Sequence, residues 1–213
     1  MNRLRLTKTI VFLAALIPLA HLAWKGLHEG LGANPIEVIT HSTGDWTLIF
    51  ILTTLSITPL RRLTHQYWLI GVRRMIGLFA FFYATLHFLT YIWLDQFFDV
   101  HSMVKDIAKR PFITVGFSAF VLLIPLALTS TARSIRRLGG KNWQRLHRLI
   151  YLTAILGVVH YFWLVKADLR KPIDYGIVLA ILLAYRVSVW ISEKRRVTLS
   201  SAPIPGQAEI TKA

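Results

Sequence analysis

The sequence predicts an all-α polytopic membrane protein, a six-transmembrane-helix bundle, and three observations carry that expectation. Of the 213 residues, 54% are hydrophobic and only 16% charged, with a mean hydropathy of +0.52, whereas a soluble domain carries about a quarter of its residues charged. The apolar residues arrive in six blocks, each supplying most of the roughly 20 helical residues that cross a hydrocarbon core. Short charged segments separate the blocks, and their content of Lys and Arg alternates along the chain. A soluble core would not be divided in this way.

The first span runs from about Thr9 to Leu27. Arg3, Arg5 and Lys8 precede its apolar run as they would in a signal peptide, but five further spans follow and the cleavage signal is poor, so it reads as a retained helix. The following stretch GLHEGLGANPIEVITHSTGDW is rich in Gly and polar residues and reads as a loop with a short surface helix. The second span, Asp45 to Leu60, is short; HSTGDW suits its start and Pro59 its end. The third, Gly71 to Leu94, opens on Arg73 and Arg74 and closes on an aromatic group with Tyr91 and Trp93. The fourth, Pro111 to Ser130, has Pro111 in its first turn and Pro125 near its other end. The fifth covers Trp143 to Leu164 and the sixth Pro172 to Trp190. These spans make one bundle over residues 1–196, and the polar segment 197–213 reads as a disordered cytoplasmic tail.

The net charge of +15 comes from 25 Lys and Arg against 10 Asp and Glu. In a soluble protein it would point to nucleic acid; here it follows the loops, so no nucleic-acid partner is expected. Arg3, Arg5 and Lys8, then Arg61, Arg62, Arg73 and Arg74, then Arg133, Arg136, Arg137, Lys141, Arg145 and Arg148, and finally Lys194, Arg195 and Arg196 all fall on one side of a six-span arrangement. Charges on the opposite side nearly cancel. The positive-inside rule therefore puts both termini of a multi-pass membrane protein in the cytoplasm. The arginines serve topology first, although guanidiniums there could also clamp a flavin phosphate or haem propionates. The chain has no cysteine, which excludes disulfides, thiolate metal sites and thiol redox chemistry.

An ionisable residue inside a membrane helix marks a functional site. His87 stands in the third span, His160 in the fifth and His147 at the entrance to the fifth, with His21 in the first span a weaker candidate. His28, His41, His65 and His101 fall in loops and form no local zinc motif. Counted along ideal helices, His87 lies roughly 24 Å from Gly71 and His160 roughly 25 Å from Trp143, which sets both at one level nearer the outer face. Two imidazoles facing each other at one depth suit the two axial positions of a b-type haem iron. Gly77, Ala80 and Ala84 beside His87, and Thr153 and Gly157 before His160, leave room for a flat ligand. Close helix packing with the histidines as interhelical hydrogen-bond partners is the competing explanation. His147, 13 residues before His160, could serve a second haem, but the matching level of the third span holds Arg73 and Arg74. No Gly-rich nucleotide fingerprint is present, so electrons would come from quinol or from another protein. A proton-relaying transporter or channel, or a structural anchor for a partner, are the alternatives; neither an internal repeat nor acidic residues at mid-membrane speak for transport.

Taken together, GLGANPIEVITHSTGDW, LSITPL, RRMIGLFAFFYATLHFLTY, KRPFITVGF, LALTS and LGGKNWQRLHRLIYLTAILGVVHYFW resemble the ferric-reductase-like transmembrane family over roughly residues 8–196. The resemblance implies a non-catalytic electron-transfer subunit of the bacterial inner membrane that draws on the respiratory quinone pool and serves a periplasmic molybdopterin enzyme reducing methionine sulfoxide in oxidised proteins. It implies heme b, with His87, His147 and His160 associated with it, as well as FMN and, as a further donor, a cytosolic flavin reductase. Larger relatives carry two histidines on each of two helices and a fused flavin and nicotinamide domain. This chain has only His87 on the third span, which favours one site at His87 and His160 with a second at His147 held in reserve.

Overall fold

A computed structural model describes residues 3–200. Within them nine α-helices and one π-helical segment follow one another: α1 (Arg3–His28), α2 (Pro35–Thr64), α3 (Leu69–Leu89) continued by the π-helical Thr90–Asp95, α4 (Val100–Lys109), α5 (Pro111–Leu128), α6 (Ala132–Leu138), α7 (Gly140–His147), α8 (Leu149–Leu164) and α9 (Arg170–Ser200). Among the described residues, five stretches are long and apolar enough to cross a membrane: Leu4–His28, Leu69–Asp95, Pro111–Leu128, Gly140–Leu164 and Arg170–Arg195.

The second expected span is the one that changes most. Its helix begins at Pro35, not at Asp45, and runs for 30 residues. Asn34 starts it: its side-chain oxygen accepts from the Glu37 amide at 3.3 Å and its amide donates to the Glu37 carboxylate at 2.9 Å, while Pro35 fills a first-turn position where no N–H is needed. HSTGDW is thus helix interior. The threonine hydroxyls in and beside it find partners without breaking the helix, because Thr40, Thr43 and Thr47 donate to the carbonyls of Ile36, Ile39 and Thr43, four residues back. The helix ends where His65 takes a left-handed conformation, φ 58°. Only a short turn with Gly30 and Gly32 at φ 73° and 79° separates it from α1.

The fifth expected span is divided. α7 stops at His147, where the Arg148 amide bonds to Arg145 and Leu146, and α8 restarts at Leu149. A straight-helix count from Trp143 to His160 therefore does not apply. α9 continues to Ser200, into the segment expected to be disordered from residue 197; residues 201–213 lie outside the described residues.

Helices α2, α3, α5 and α8 form the inner bundle, with α2 packed chiefly on α3 and α5 on α8, and α1 and α9 flanking it. The core between them is aromatic and aliphatic. Phe50, Phe79 and Tyr83 stack at 5.2–5.8 Å, while Phe88 and Phe120 stack at 4.6 Å. The flanking helices turn Ile10, Leu13 and Ile17, and Ile177 and Ile181, outward, as a lipid solvent requires and water would penalise.

Candidate functional site

The inner bundle encloses a cavity of about 760 Å³ between α2, α3, α5 and α8, a size that suits a cofactor. His87 from α3 and His160 from α8 both line it. Their ring centres are 6.1 Å apart and their planes stand at 79°. A metal bonded to one nitrogen of each ring at about 2 Å would separate the ring centres by about 6 Å, a spacing the two histidines match.

The two rings are held alike. His87 Nδ1 donates to the Thr40 carbonyl of α2 at 2.9 Å, and His160 Nδ1 donates to the Phe112 carbonyl of α5 at 2.7 Å. A neutral imidazole with its proton on Nδ1 keeps the lone pair on Nε2. Metal-ligating histidines are oriented by this kind of bond from the second nitrogen. The chain separations of the two pairs are 47 and 48 residues, so α2 with α3 and α5 with α8 present their histidines through one repeated arrangement. That repeat was invisible in the residue pattern.

Two buried side-chain oxygens lack a partner among the described residues, Tyr91 Oη and Thr153 Oγ1, and both residues line the cavity. Unpaired buried hydroxyls cost about 1–3 kcal/mol each, and their position at one cavity fits an occupant with polar atoms of its own. Elsewhere, no three of His, Cys, Asp and Glu gather around a point among the described residues. The donor set suits a metal that brings its other ligands with it, as haem iron does.

Not every sequence candidate meets here. Ala84, Thr153 and Gly157 line the cavity, but Gly77 and Ala80 do not; Gly77 packs toward Thr54 of α2, and Ala80 is buried in the core. His21 is exposed on α1. His147 stands apart at the end of α7, stacked on Trp143 at 3.9 Å with Nε2 3.1 Å from the Thr129 hydroxyl. Trp143 in turn donates to the Thr129 carbonyl at 2.9 Å. Arg73 is near enough to interact with His147 electrostatically, and no second imidazole faces it among the described residues. His41, assigned to a loop, lines the cavity mouth from α2.

The mouth collects Asn34, Glu37, Asp95, Arg110, Lys166 and Asp168, all from the loops or helix ends opposite the arginine-rich ones. Asp45, also at the cavity, forms a 2.8 Å ion pair with Lys171. Sequence reasoning missed Arg110 and Lys166 as cavity residues, because loop composition alone does not say which charges converge. It also missed the Thr40 and Phe112 carbonyls, which carry no side-chain signature. Arg186, within the last span, donates to the Leu55 carbonyl at 3.2 Å and lies over the Tyr151 ring, which provides for its charge inside the bundle.

A family model described as the ferric reductase like transmembrane component matches residues 40–158. Curated relatives match almost end to end. The chain is 60% identical over 195 residues, 91% of its length and 89% of the relative's, to the "Protein-methionine-sulfoxide reductase heme-binding subunit MsrQ" of Herminiimonas arsenicoxydans. It is 55% identical to the protein of the same name from Ralstonia nicotianae, covering 86% of each chain, and 56% identical to that from Azospira oryzae, covering 87% of this chain and 80% of the relative.

Proposed function

This chain belongs to the ferric-reductase-like transmembrane family and, within it, to the MsrQ group, and from that premise we propose that it is the b-type cytochrome subunit of a methionine-sulfoxide repair system. It takes electrons from the respiratory quinone pool and passes them to the periplasmic molybdopterin subunit MsrP, and it performs no catalysis itself. The observation that carries this is the pair of imidazoles across one cavity, 6.1 Å apart, each tied by Nδ1 to a backbone carbonyl.

His87 and His160 would hold a haem iron through Nε2, and the group so bound supplies reversible one-electron storage. The chain's own residues do the rest. The Thr40 and Phe112 carbonyls fix both rings, Ala84, Gly157 and Thr153 leave the space between them, and Arg110 and Lys166 set cations at the mouth where carboxylate side arms would lie. Two opposed imidazoles favour a tetrapyrrole over FMN, for which no residue cluster here argues.

The proposed topology has six crossings, with α2 the sixth alongside the five more apolar stretches, and both termini cytoplasmic. It is supported by the length of α2, its packing along α3 and the one-sided arginines of the intervening loops. The cavity mouth then faces the periplasm, on the side where a soluble acceptor waits. His147, on the other side, is the residue a second haem would use, and its single-imidazole surroundings make that site the weaker one.

In proteoliposomes supplied with a quinol, the wild-type chain is expected to support reduction of MsrP, while His87→Ala and His160→Ala lose it to background. Undiminished transfer by both variants would overturn the assignment.

A further inference from the structure

Each haem-facing histidine meets a glycine on the neighbouring helix. Gly44 lies one turn after Thr40 on α2, and Gly116 one turn after Phe112 on α5, so each glycine follows the carbonyl its histidine bonds to by four residues. A Cβ at Gly44 would stand 3.1 Å from His87 Cε1 and 3.2 Å from its Nδ1. A Cβ at Gly116 would stand 2.6 Å from His160 Nδ1, 2.8 Å from Cε1 and 3.0 Å from Cγ. Neither glycine has a backbone conformation that needs glycine, since both lie inside helices and positive φ is confined to Gly30, Gly32 and Gly139 among the described glycines. Their requirement is space for a ring edge.

We propose that Gly44 and Gly116 are paired positioning residues, whose missing side chains let each imidazole lie against the neighbouring helix so that Nδ1 reaches the backbone carbonyl and Nε2 is presented to the metal. The inference rests on the haem reading above and adds a consequence for the cofactor's electronics. A carbonyl accepting the Nδ1 proton makes the ring a stronger donor, which favours the oxidised iron and holds the potential down. A methyl group at either position pushes the ring off its carbonyl. The contact at Gly116 is the tighter, so it is the more sensitive position, and the other half of the repeat responds in the same sense to a smaller degree.

The experiment uses the full chain, purified in detergent, as wild type, Gly44→Ala, Gly116→Ala and Gly77→Ala. The last is the control, because a Cβ there meets Thr54 at 3.6 Å, an ordinary contact outside the cavity. Haem content, the electron paramagnetic resonance of the oxidised protein and the midpoint potential are read. Gly116→Ala is expected to lose about 10–100-fold in haem affinity, the usual cost of removing a partner that orients a metal ligand. Gly44→Ala, which needs only a few tenths of an ångström of adjustment, is expected to retain haem with an altered low-spin signal and a raised potential. Gly77→Ala should match wild type in all three. Wild-type haem content, signal and potential in both cavity-glycine variants would overturn the positioning role while leaving the haem site standing. A wild-type chain that binds no haem would overturn the haem reading and this inference together, so the two failures are told apart. If Gly116→Ala does not accumulate, the milder Gly44→Ala decides the question through its signal and potential.

Discussion

Tyr83 shows how one side chain ties a flanking helix to the bundle. It is 1% exposed, and its hydroxyl donates to the Ala15 carbonyl at 2.9 Å while accepting from the Leu19 amide at 3.2 Å. Those two backbone groups lie four residues apart in α1, on either side of Pro18, which has no N–H to give. The tyrosine hydroxyl therefore bridges the two groups and ties α1 to α3. Tyr83→Phe leaves the ring stack with Phe50 but removes both bonds, and the expected loss is about 1–3 kcal/mol, read as a lowered midpoint of thermal unfolding in detergent. An unchanged midpoint would mean that α1 repairs its own ladder. The same scale governs the site: His87 and His160 were legible as intramembrane histidines, but the atoms that orient them belong to backbone carbonyls, which every residue has and no pattern marks.

At the scale of elements, the sequence told more about what must be apolar than about where helices begin. The start of α2 was placed ten residues late because Ser42, Thr43, Gly44 and Asp45 carry the composition of a helix entrance, and such residues favour caps when their hydroxyls lack better partners. In the bundle the threonine hydroxyls bond back to their own helix, and Gly44 serves the ring of His87 rather than a turn. The break between α7 and α8 was equally hidden, since the residues around Arg148 are good helix formers.

α4 offers an element whose first turn is capped by one charge. Asp99 accepts from the amides of His101 and Ser102 at 3.0 and 3.2 Å and from the Ser102 hydroxyl at 2.8 Å. These bonds, chiefly those from Ser102, hold its carboxyl below the ordinary value of 3.8. A depressed carboxylate contributes stability that is whole above its unfolded value and lost as pH falls through the folded one. Hydrogen exchange should accordingly find α4 protected at neutral pH and fraying only in acid below 3.8, whereas Asp99→Ala should fray it at neutral pH. Equal protection in the variant and wild type would show that the cap is dispensable.

For the molecule as a whole, hydropathy settled the class, because lipid imposes it directly, and the one-sided arginines are what the proposed orientation rests on. The convergence of α2, α3, α5 and α8 on one cavity could not be settled that way. It depends on which helix faces meet, and His87 and His160 are 73 residues apart in the chain yet meet through two helix pairs built alike. The asymmetry of the cavity is the functional consequence. Its mouth gathers residues from the loops with balanced charge, while the arginine-rich loops and His147 lie at the far end. In the proposed orientation, a haem held here would deliver electrons close to a periplasmic acceptor and would have to receive them across the rest of the membrane.

The central claim is that His87 and His160 are the two axial ligands of one haem, and the electron paramagnetic resonance spectrum of the oxidised, detergent-purified chain tests it most directly. Ring planes at 79° predict a highly anisotropic low-spin signal of near-perpendicular bis-imidazole ligation, abolished in His87→Ala and in His160→Ala and retained in His147→Ala. The same signal persisting in the first two variants would contradict the account.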